Sequence, residues 1–432
     1  MNNNQVKNKK IVTPLKSPMK GSVVIPSDKS ISHRAAIFSA LSHGENEIIN
    51  FSSGKDCHST LSVLKNLGVE VNFLSHNHLI LKSPKEFVSP RCILDVGNSG
   101  TTIRLMSGIL ARQKFSCDIT GDESLKKRPM ARVIKPLELM GACVSSVNNC
   151  APLSFEPAEL VGIDYKSPLS SAQVKSCVML AALGANGKTT IEEPYLSRNH
   201  TELMLKYMGA DIECYGAKIA VNPSELAPRT IEVAGDISSA AFFIGAGLLI
   251  EGSDIILKNV GLNPTRTGIL DVLLKMGASI EVLDEQTKSG ELVGDLRIKY
   301  SKLNATTIEG ADIPRLIDEI PLLAVVATQA TGKTIIKDAQ DLRNKESDRI
   351  SAVALELSKM GVEITQTHDG MIIEGVQSLK GGATIETYHD HRIAMSMYVA
   401  GLLASEPIQI NEFGWVDISF PEFEYLMESL QK

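Results

Sequence analysis

One pattern constrains this chain more than any other. An amphipathic segment ends in Leu/Met-Gly and is followed by an alternating apolar strand. It reads LKNLGVEV at 64–71, LELMGACV at 137–144, LKYMGADI at 205–212, LLKMGASI at 273–280 and LSKMGVEI at 357–364. The glycines Gly68, Gly141, Gly209, Gly277 and Gly361 fit helix C-terminal positions, where the backbone turns to positive φ and only glycine sits without strain. Their spacing of about 70 residues, with one longer step, marks an internal repeat.

A second helix runs in step with the first. It is rich in Ala, Gly, Ser and Leu and leads through a turn into a β-branched strand. Copies begin near Lys29, Asn98, Ser170, Ser238, Asp318 and His389. A helix that is apolar nearly all round belongs inside a domain. Six copies in 432 residues imply two domains of three copies each, with helices filling the inside and strands covering the outside. The fold class is therefore α/β. The polar residues of these helices gather at their starts, where unpaired N–H groups and the helix dipole favour anions. Six such starts facing one cleft would form an anion trap. Taken singly, each Ser or Asp there reads as an N-cap.

The remaining bulk properties exclude several classes. Met1 to Lys10 is polar and has no apolar stretch behind it, so it does not read as a secretory signal. The longest apolar stretches, such as 240–250 and 320–327, are shorter than the ~20 residues a bilayer requires. The 7 cysteines are scattered and odd in number, which suits reduced thiols in a cytosolic protein. A net charge of −6 argues against a nucleic-acid partner but not against a small anionic substrate, because a site is a local field.

Charged residues accumulate at the helix starts. Lys29 and Ser30 open the first buried helix, with Arg34 one turn on; cations on an otherwise apolar helix must meet anions or cost several kcal/mol. Gly97-Asn98-Ser99-Gly100-Thr101 opens the second, and its glycines permit close backbone approach to a ligand. In Lys126-Lys127-Arg128-Pro129 the lysines read as a solvated loop and Arg128 as the ligand candidate. Lys345 and Arg349 share one helical face. Arg392 precedes a buried Ile-Ala-Met run. His389 and His391 are two apart, the wrong spacing for two ligands on one helical face, so no metal is expected. Gly187-Lys188-Thr189 and Gly332-Lys333-Thr334 resemble the end of a P-loop, but Ala182 and Ala327 stand where its first glycine is needed.

DKSISHR at 28–34, GNSGTTIRL at 97–105, SSAQVKS at 170–176, KESDR at 345–349 and DHRIAM at 390–395 resemble the 5-enolpyruvylshikimate-3-phosphate synthase family of enolpyruvyl transferases. The likeness runs from about residue 14 to the C-terminus. It implies a two-domain inside-out α/β barrel with three βαβαββ repeats per domain. By analogy one domain is 27–234, mainly the shikimate 3-phosphate side, and the other combines 1–26 with 235–432.

The resemblance also implies roles. Lys29, Ser30, Arg34, Ser171, Gln173, Arg198, Asp318 and Lys345 would bind shikimate 3-phosphate. Lys29, Gly100, Arg128, Gln173, Arg349 and Arg392 would bind phosphoenolpyruvate, the two last clamping its carboxylate. Asp318, Glu346 and Lys29 would be catalytic: Asp318 as base toward the 5-hydroxyl, Glu346 beside the reacting carbons. The substrates together bring about five or six negative charges. The seven cations Lys29, Arg34, Arg128, Arg198, Lys345, Arg349 and Arg392 face them, against the two carboxylates Asp318 and Glu346. Domain closure would exclude water and align the reactants, an effect that supplies roughly 7–11 kcal/mol. No metal or organic cofactor is expected. The expected partners are the two small substrates, with the chain monomeric and cytosolic, and glyphosate as the family's phosphoenolpyruvate-competitive inhibitor.

The chain departs from one branch of that family. Ala172 stands where that branch has a second serine, and Ile418-Ser419 where it carries a lysine, which places the chain with the other branch. Two rivals remain. The enolpyruvyl transferases acting on UDP-N-acetylglucosamine carry a cysteine in the loop before Arg-Pro, and 121–127 has none. A non-catalytic phosphometabolite binder would not need Asp318 and Glu346.

Overall fold

The computed structural model describes residues 9–375 and 378–431, so most of the polar start lies outside the described residues. The chain separates into two compact units. One comprises Ser27–Ala234 with Thr287–Glu291; the other comprises Gly235–Gln286, the residues from Leu292 on, and the described residues up to Pro26. The expected division had left 287–291 with the second group. That hairpin tip joins the first unit because the Glu232 amide donates to Ser289 Oγ at 2.9 Å, Lys288 pairs with Glu232, and His200 Nδ1 lies 2.7 Å from Glu291 Oε1.

The repeat is plain in the elements. Strand Leu94–Asp95 leads into helix Gly100–Leu110, strand Cys117–Thr120, helix Ala131–Leu139 and the hairpin Cys143–Val147/Cys150–Glu156. The first two strands pair parallel across the helix, as a βαβ crossover requires, and the hairpin adds antiparallel. The described residues form six small mixed sheets, five of four strands built on this scheme and one of three, in which Lys10–Val12 takes the antiparallel place beside Ile408–Ile410. In the Ser27–Ala234 unit the sheet of the first repeat takes its opening strand from the far end, Thr230–Glu232, which pairs parallel with Gly44–Ile49. In the other unit Lys20–Val24 plays that part beside Asp254–Gly261.

The five repeated glycines all lie at positive φ, between 84° and 96°. The Ala/Gly/Ser-rich helices are Lys29–Leu41, Gly100–Leu110, Ala172–Ala182, Ile237–Leu249, Ile320–Thr328 and His391–Leu402. Each is buried over most of its length, and Ile320–Thr328 over all of it. Small residues make this possible. A Cβ on Gly108 would stand 2.1 Å from the Cys177 carbonyl oxygen, so two of these helices touch backbone to backbone there. No described helix is long and apolar enough to cross a membrane.

Candidate active site

In the unit of Ser27–Ala234, Asp28 caps the first buried helix by accepting from the Ile31 amide at 2.8 Å. Lys29 Nζ lies 3.2 Å from Asp56. Arg34 is only 2% exposed. Its Nε donates to Thr201 Oγ1 at 2.8 Å, Nη2 to Ser176 Oγ at 2.9 Å and Nη1 to the Ser30 carbonyl at 3.0 Å. Three of its five donors are thus spent on the protein. Burial holds its pKa down to about 10, with Glu202 the largest opposing influence and Arg198 near enough to lower it further.

The second buried helix starts at Gly100, behind Ser99, whose Oγ accepts from the Thr102 amide at 3.2 Å. Arg128 Nη2 donates to Asn98 Oδ1 at 2.7 Å, and Asn98 in turn donates to both oxygens of Asp122 at 3.0 and 2.8 Å. Gln173 accepts from Arg104 and donates to Thr101 Oγ1 at 3.0 Å. A Cβ on Gly100 would stand 3.2 Å from Arg104 Nη1 and 3.3 Å from Arg128 Nη1. Gly100, Arg104, Arg128 and Gln173 therefore surround one spot. Lys126 pairs with Glu123 at 2.9 Å on the surface, as a solvated loop does.

Ser171 caps the third helix, although its bond from the Val174 amide is long at 3.5 Å. Its own amide donates to Glu193 Oε1 at 2.9 Å. Beneath it lies a buried ion cluster. Lys175 Nζ is 3.1 Å from Glu193 Oε2 and 2.7 Å from Glu202 Oε1, and donates to the Ser197 carbonyl at 3.2 Å. Glu193 Oε2 also accepts from the Ser197 amide at 3.2 Å and its hydroxyl at 2.8 Å. With Arg34 the cluster is balanced, two cations against two carboxylates, which is what lets four charged groups stay buried.

In the other unit, Arg349 is the hub. It is 1% exposed on its side chain and meets three carboxylates. Nε lies 2.8 Å from Asp390 Oδ2, Nη2 2.7 Å from Glu346 Oε2, and Nη1 3.2 Å from Asp318 Oδ1. Burial alone would lower its pKa, but Asp390, Glu346 and Asp318 outweigh this and raise it. Asp390 is pulled low by Arg349 in spite of its own burial. Lys345 Nζ is 3.4 Å from Asp318 Oδ1. Arg392 Nη1 donates to the Asp318 carbonyl at 3.1 Å and lies 3.7 Å from Glu319 Oε1. This leaves the Arg392 fork less committed than that of Arg349. His389 stacks on Trp415 with centroids 4.9 Å apart and lies 3.2 Å from Glu412. Among the described residues no group of three or more His, Cys, Asp or Glu could hold a metal ion.

The expected charge count was too simple. In this unit Asp390 and Glu319 join Asp318 and Glu346, giving four carboxylates against the three cations Lys345, Arg349 and Arg392. The residues that sequence reasoning passed over, Arg104, Lys175, Asp390 and Glu319, stand inside or next to motifs it had noticed. The signal for the first two was the one used for Arg34: a cation on an apolar helix.

Comparison with known proteins gives the family. The family model described as EPSP synthase (3-phosphoshikimate 1-carboxyvinyltransferase) matches residues 14–427. A 3-phosphoshikimate 1-carboxyvinyltransferase from Thermoanaerobacter sp. (strain X514) is 52% identical over 407 residues, covering 94% of this chain and 96% of that protein. One from Bacillus subtilis (strain 168) is 48% identical over 416 residues, covering 95% and 97%. A solved EPSP synthase structure from Acinetobacter baumannii superposes with a TM-score of 0.89 at 40% identity, covering 98% of both chains. With the repeats and the arginine-rich helix starts on one side and this near full-length likeness on the other, the chain belongs to the EPSP synthase family.

Proposed function

We propose that two groups of side chains divide the work of 3-phosphoshikimate 1-carboxyvinyl transfer, the activity of this chain. The reaction moves the enolpyruvyl group of phosphoenolpyruvate to the 5-hydroxyl of shikimate 3-phosphate and releases inorganic phosphate, a step of the shikimate pathway toward aromatic compounds. Lys29, Ser30, Arg34, Ser171, Gln173 and Arg198 serve shikimate 3-phosphate, Arg34 chiefly by holding the helix start and Thr201 in place. Gly100, Arg128 and Gln173 receive the phosphate of phosphoenolpyruvate. Arg392 and Arg349 receive its carboxylate, Arg392 first, since Arg349 must loosen Glu346 or Asp318 to donate to a ligand.

The observation that carries the catalytic assignment is Asp318, held by Lys345 at 3.4 Å and Arg349 at 3.2 Å with its side chain still 13% exposed. A carboxylate so fixed can take the proton of the 5-hydroxyl. The alkoxide oxygen attacks C2 of phosphoenolpyruvate while C3 gains a proton, and the tetrahedral adduct then loses a proton and phosphate to restore the double bond. Glu346 and Lys29 are the groups assigned to proton transfer at C3 and to the leaving phosphate. The same reading includes an inside-out α/β barrel of three repeats per unit, supported by the burial of all six helices, and a monomer acting in the cytosol.

The test is direct. The purified chain is mixed with phosphoenolpyruvate and shikimate 3-phosphate and phosphate release is followed, with UDP-N-acetylglucosamine as a parallel acceptor. Release only with shikimate 3-phosphate is the expected result. Tight binding of both substrates without release would overturn the catalytic roles.

A further inference from the structure

The helices Lys29–Leu41, Gly100–Leu110 and Ala172–Ala182 carry the candidate binding residues at their N-terminal ends. Their other ends lie ~16–20 Å away, at 1.5 Å per residue. Between those C-terminal ends is a cavity of about 530 Å³, lined by residues of the Ser27–Ala234 unit alone. Its apolar wall comes from Leu41, Phe87, Phe115 and Leu183. Its charged lining is Lys85, Arg112 and Lys114 against Glu86 and Glu225, a net charge of +1 from three cations and two carboxylates.

Arg112 is the unusual member. Its Nε is buried with no hydrogen-bond partner. Burial alone holds its pKa down to about 10, and no carboxylate counteracts this. The nearby Glu86 is engaged by Lys114 at 2.8 Å. An arginine at helix C-termini ordinarily donates to the last carbonyls, but the Arg112 side chain makes no such bond among the described residues. The chain nevertheless makes room for it. A Cβ on Gly184 would stand 2.1 Å from Arg112 Nη1 and 3.0 Å from its Cδ, so the guanidinium occupies the space a side chain would need. Gly184 is not at positive φ, so what an added methyl would meet there is the Arg112 side chain and not backbone strain.

The Arg112 side chain is half-buried, its fork makes no hydrogen bond to a described group, and the planar geometry of that fork matches a carboxylate. The volume falls in the range of small-ligand sites. We propose that this cavity binds a small monocarboxylate with an apolar body, its carboxylate on Arg112 and its body against Phe87 and Phe115. The single net positive charge favours a monoanion over a dianionic phosphate.

The test is calorimetric titration of the full chain with benzoate, with shikimate 3-phosphate at saturation to fill its own residues, and in parallel on Arg392→Met, because Arg349 and Arg392 otherwise stay open to a carboxylate. Benzyl alcohol supplies the body without the charge, and acetate the charge without the body. The expected result is one saturable benzoate site per chain, at least tenfold tighter than either control. Arg112→Met should weaken it tenfold or more and leave turnover and the thermal midpoint unchanged. Arg112→Lys should retain part of the affinity, and Gly184→Ala, which displaces the guanidinium, should lose most of it. These variants keep the test open if Arg112→Met folds poorly. Absence of saturable benzoate binding at millimolar concentration would overturn the proposal. So would equal binding of benzyl alcohol, loss of the site in Arg392→Met, or unchanged affinity in the folded Arg112 and Gly184 variants. Because benzoate binding is read without turnover, its failure is distinct from failure of the catalytic reading.

Discussion

Arg349 Nε donates to Asp390 Oδ2 at 2.8 Å, and both side chains are buried almost completely. Each residue stands at the start of a helix, Arg349–Lys359 and His391–Leu402, so one ion pair fixes two helix starts together. Asp390 also accepts from the Arg392 amide at 2.9 Å and from Ser347 Oγ at 3.0 Å. It thereby sets the direction of both arginines assigned to the phosphoenolpyruvate carboxylate.

Asp390→Asn removes the charge and keeps the shape. Breaking a buried pair costs about 3–5 kcal/mol, and here the lower end applies because Glu346 and Asp318 still face Arg349. Those two carboxylates would then be drawn harder onto the guanidinium. Expected are a loss of about 3 kcal/mol in urea unfolding and at least a tenfold rise in KM for phosphoenolpyruvate. An unchanged KM would show that Asp390 does not position the arginines.

Asp318→Asn tests the base. The amide keeps a neutral contact with Lys345 and Arg349 but cannot accept a proton at the required step. General-base catalysis contributes roughly 10²–10⁴-fold, so single-turnover phosphate release should fall by at least about 10²-fold while the Kd of each substrate stays within a few-fold. Normal turnover would move the base elsewhere.

Gly100→Ala adds a methyl 3.2 Å from Arg104 Nη1 and 3.3 Å from Arg128 Nη1. Ala is the better helix former, so stability should not fall. The crowding bears on the two guanidinium tips, and the expected outcome in steady-state kinetics is a KM for phosphoenolpyruvate several-fold higher with that for shikimate 3-phosphate unchanged. Equal changes in both would mean that Gly100 acts on the helix rather than on the arginines.

Much of this was legible before any coordinates. The Leu/Met-Gly pattern placed five helix ends correctly because positive φ leaves a glycine in the sequence. The Ala/Gly/Ser runs placed six buried helices within two residues of their starts, because burial on all sides leaves such a run mostly small and apolar, with polar exceptions such as Arg34 and Lys175. Partners were not legible. Arg349 reads as a free cation until the fold brings Asp390 to it from 41 positions away. Lys175 looks like a misplaced charge until Glu193 and Glu202 close around it. Periodicity reports which face is buried, not which charges meet there.

Lys175 is assigned as a positioning residue. Its ammonium holds Glu193, and Glu193 holds both the Ser171 amide and Ser197, next to Arg198. Lys175→Met leaves two buried carboxylates without their cation and should destabilise strongly. Lys175→Met with Glu202→Gln removes one charge of each sign and should recover part of that loss. In the double variant a tenfold rise in KM for shikimate 3-phosphate, with kcat and KM for phosphoenolpyruvate little changed, is the sign of positioning. A loss of stability alone, with normal KM, would reduce the cluster to packing.

His33 gives the pH dependence a definite sign. It is fully buried, with Nδ1 2.7 Å from Thr60 Oγ1, and Thr60 is 2.6 Å from Thr102. Burial, then the nearby Lys29 and Arg34, lower its pKa from 6.5 to about 3, against the opposing pull of Asp56. The unfolded chain therefore binds a proton between pH 6.5 and about 3 that the folded chain refuses. Stability from this group is complete above pH 6.5 and falls as the solution is acidified toward 3. From neutral pH to pH 5 the loss should be roughly 2 kcal/mol, at 1.36 kcal/mol per unit. Carboxylates titrate in the same range, so the quantity to measure is the difference in urea unfolding between the wild-type chain and His33→Gln at pH 8 and pH 5. The variant should be less stable than wild type at pH 8, and the gap should narrow by about 2 kcal/mol at pH 5. A gap that stays constant would mean that His33 is protonated inside the fold, and that its contact with Thr60 is made by an imidazolium.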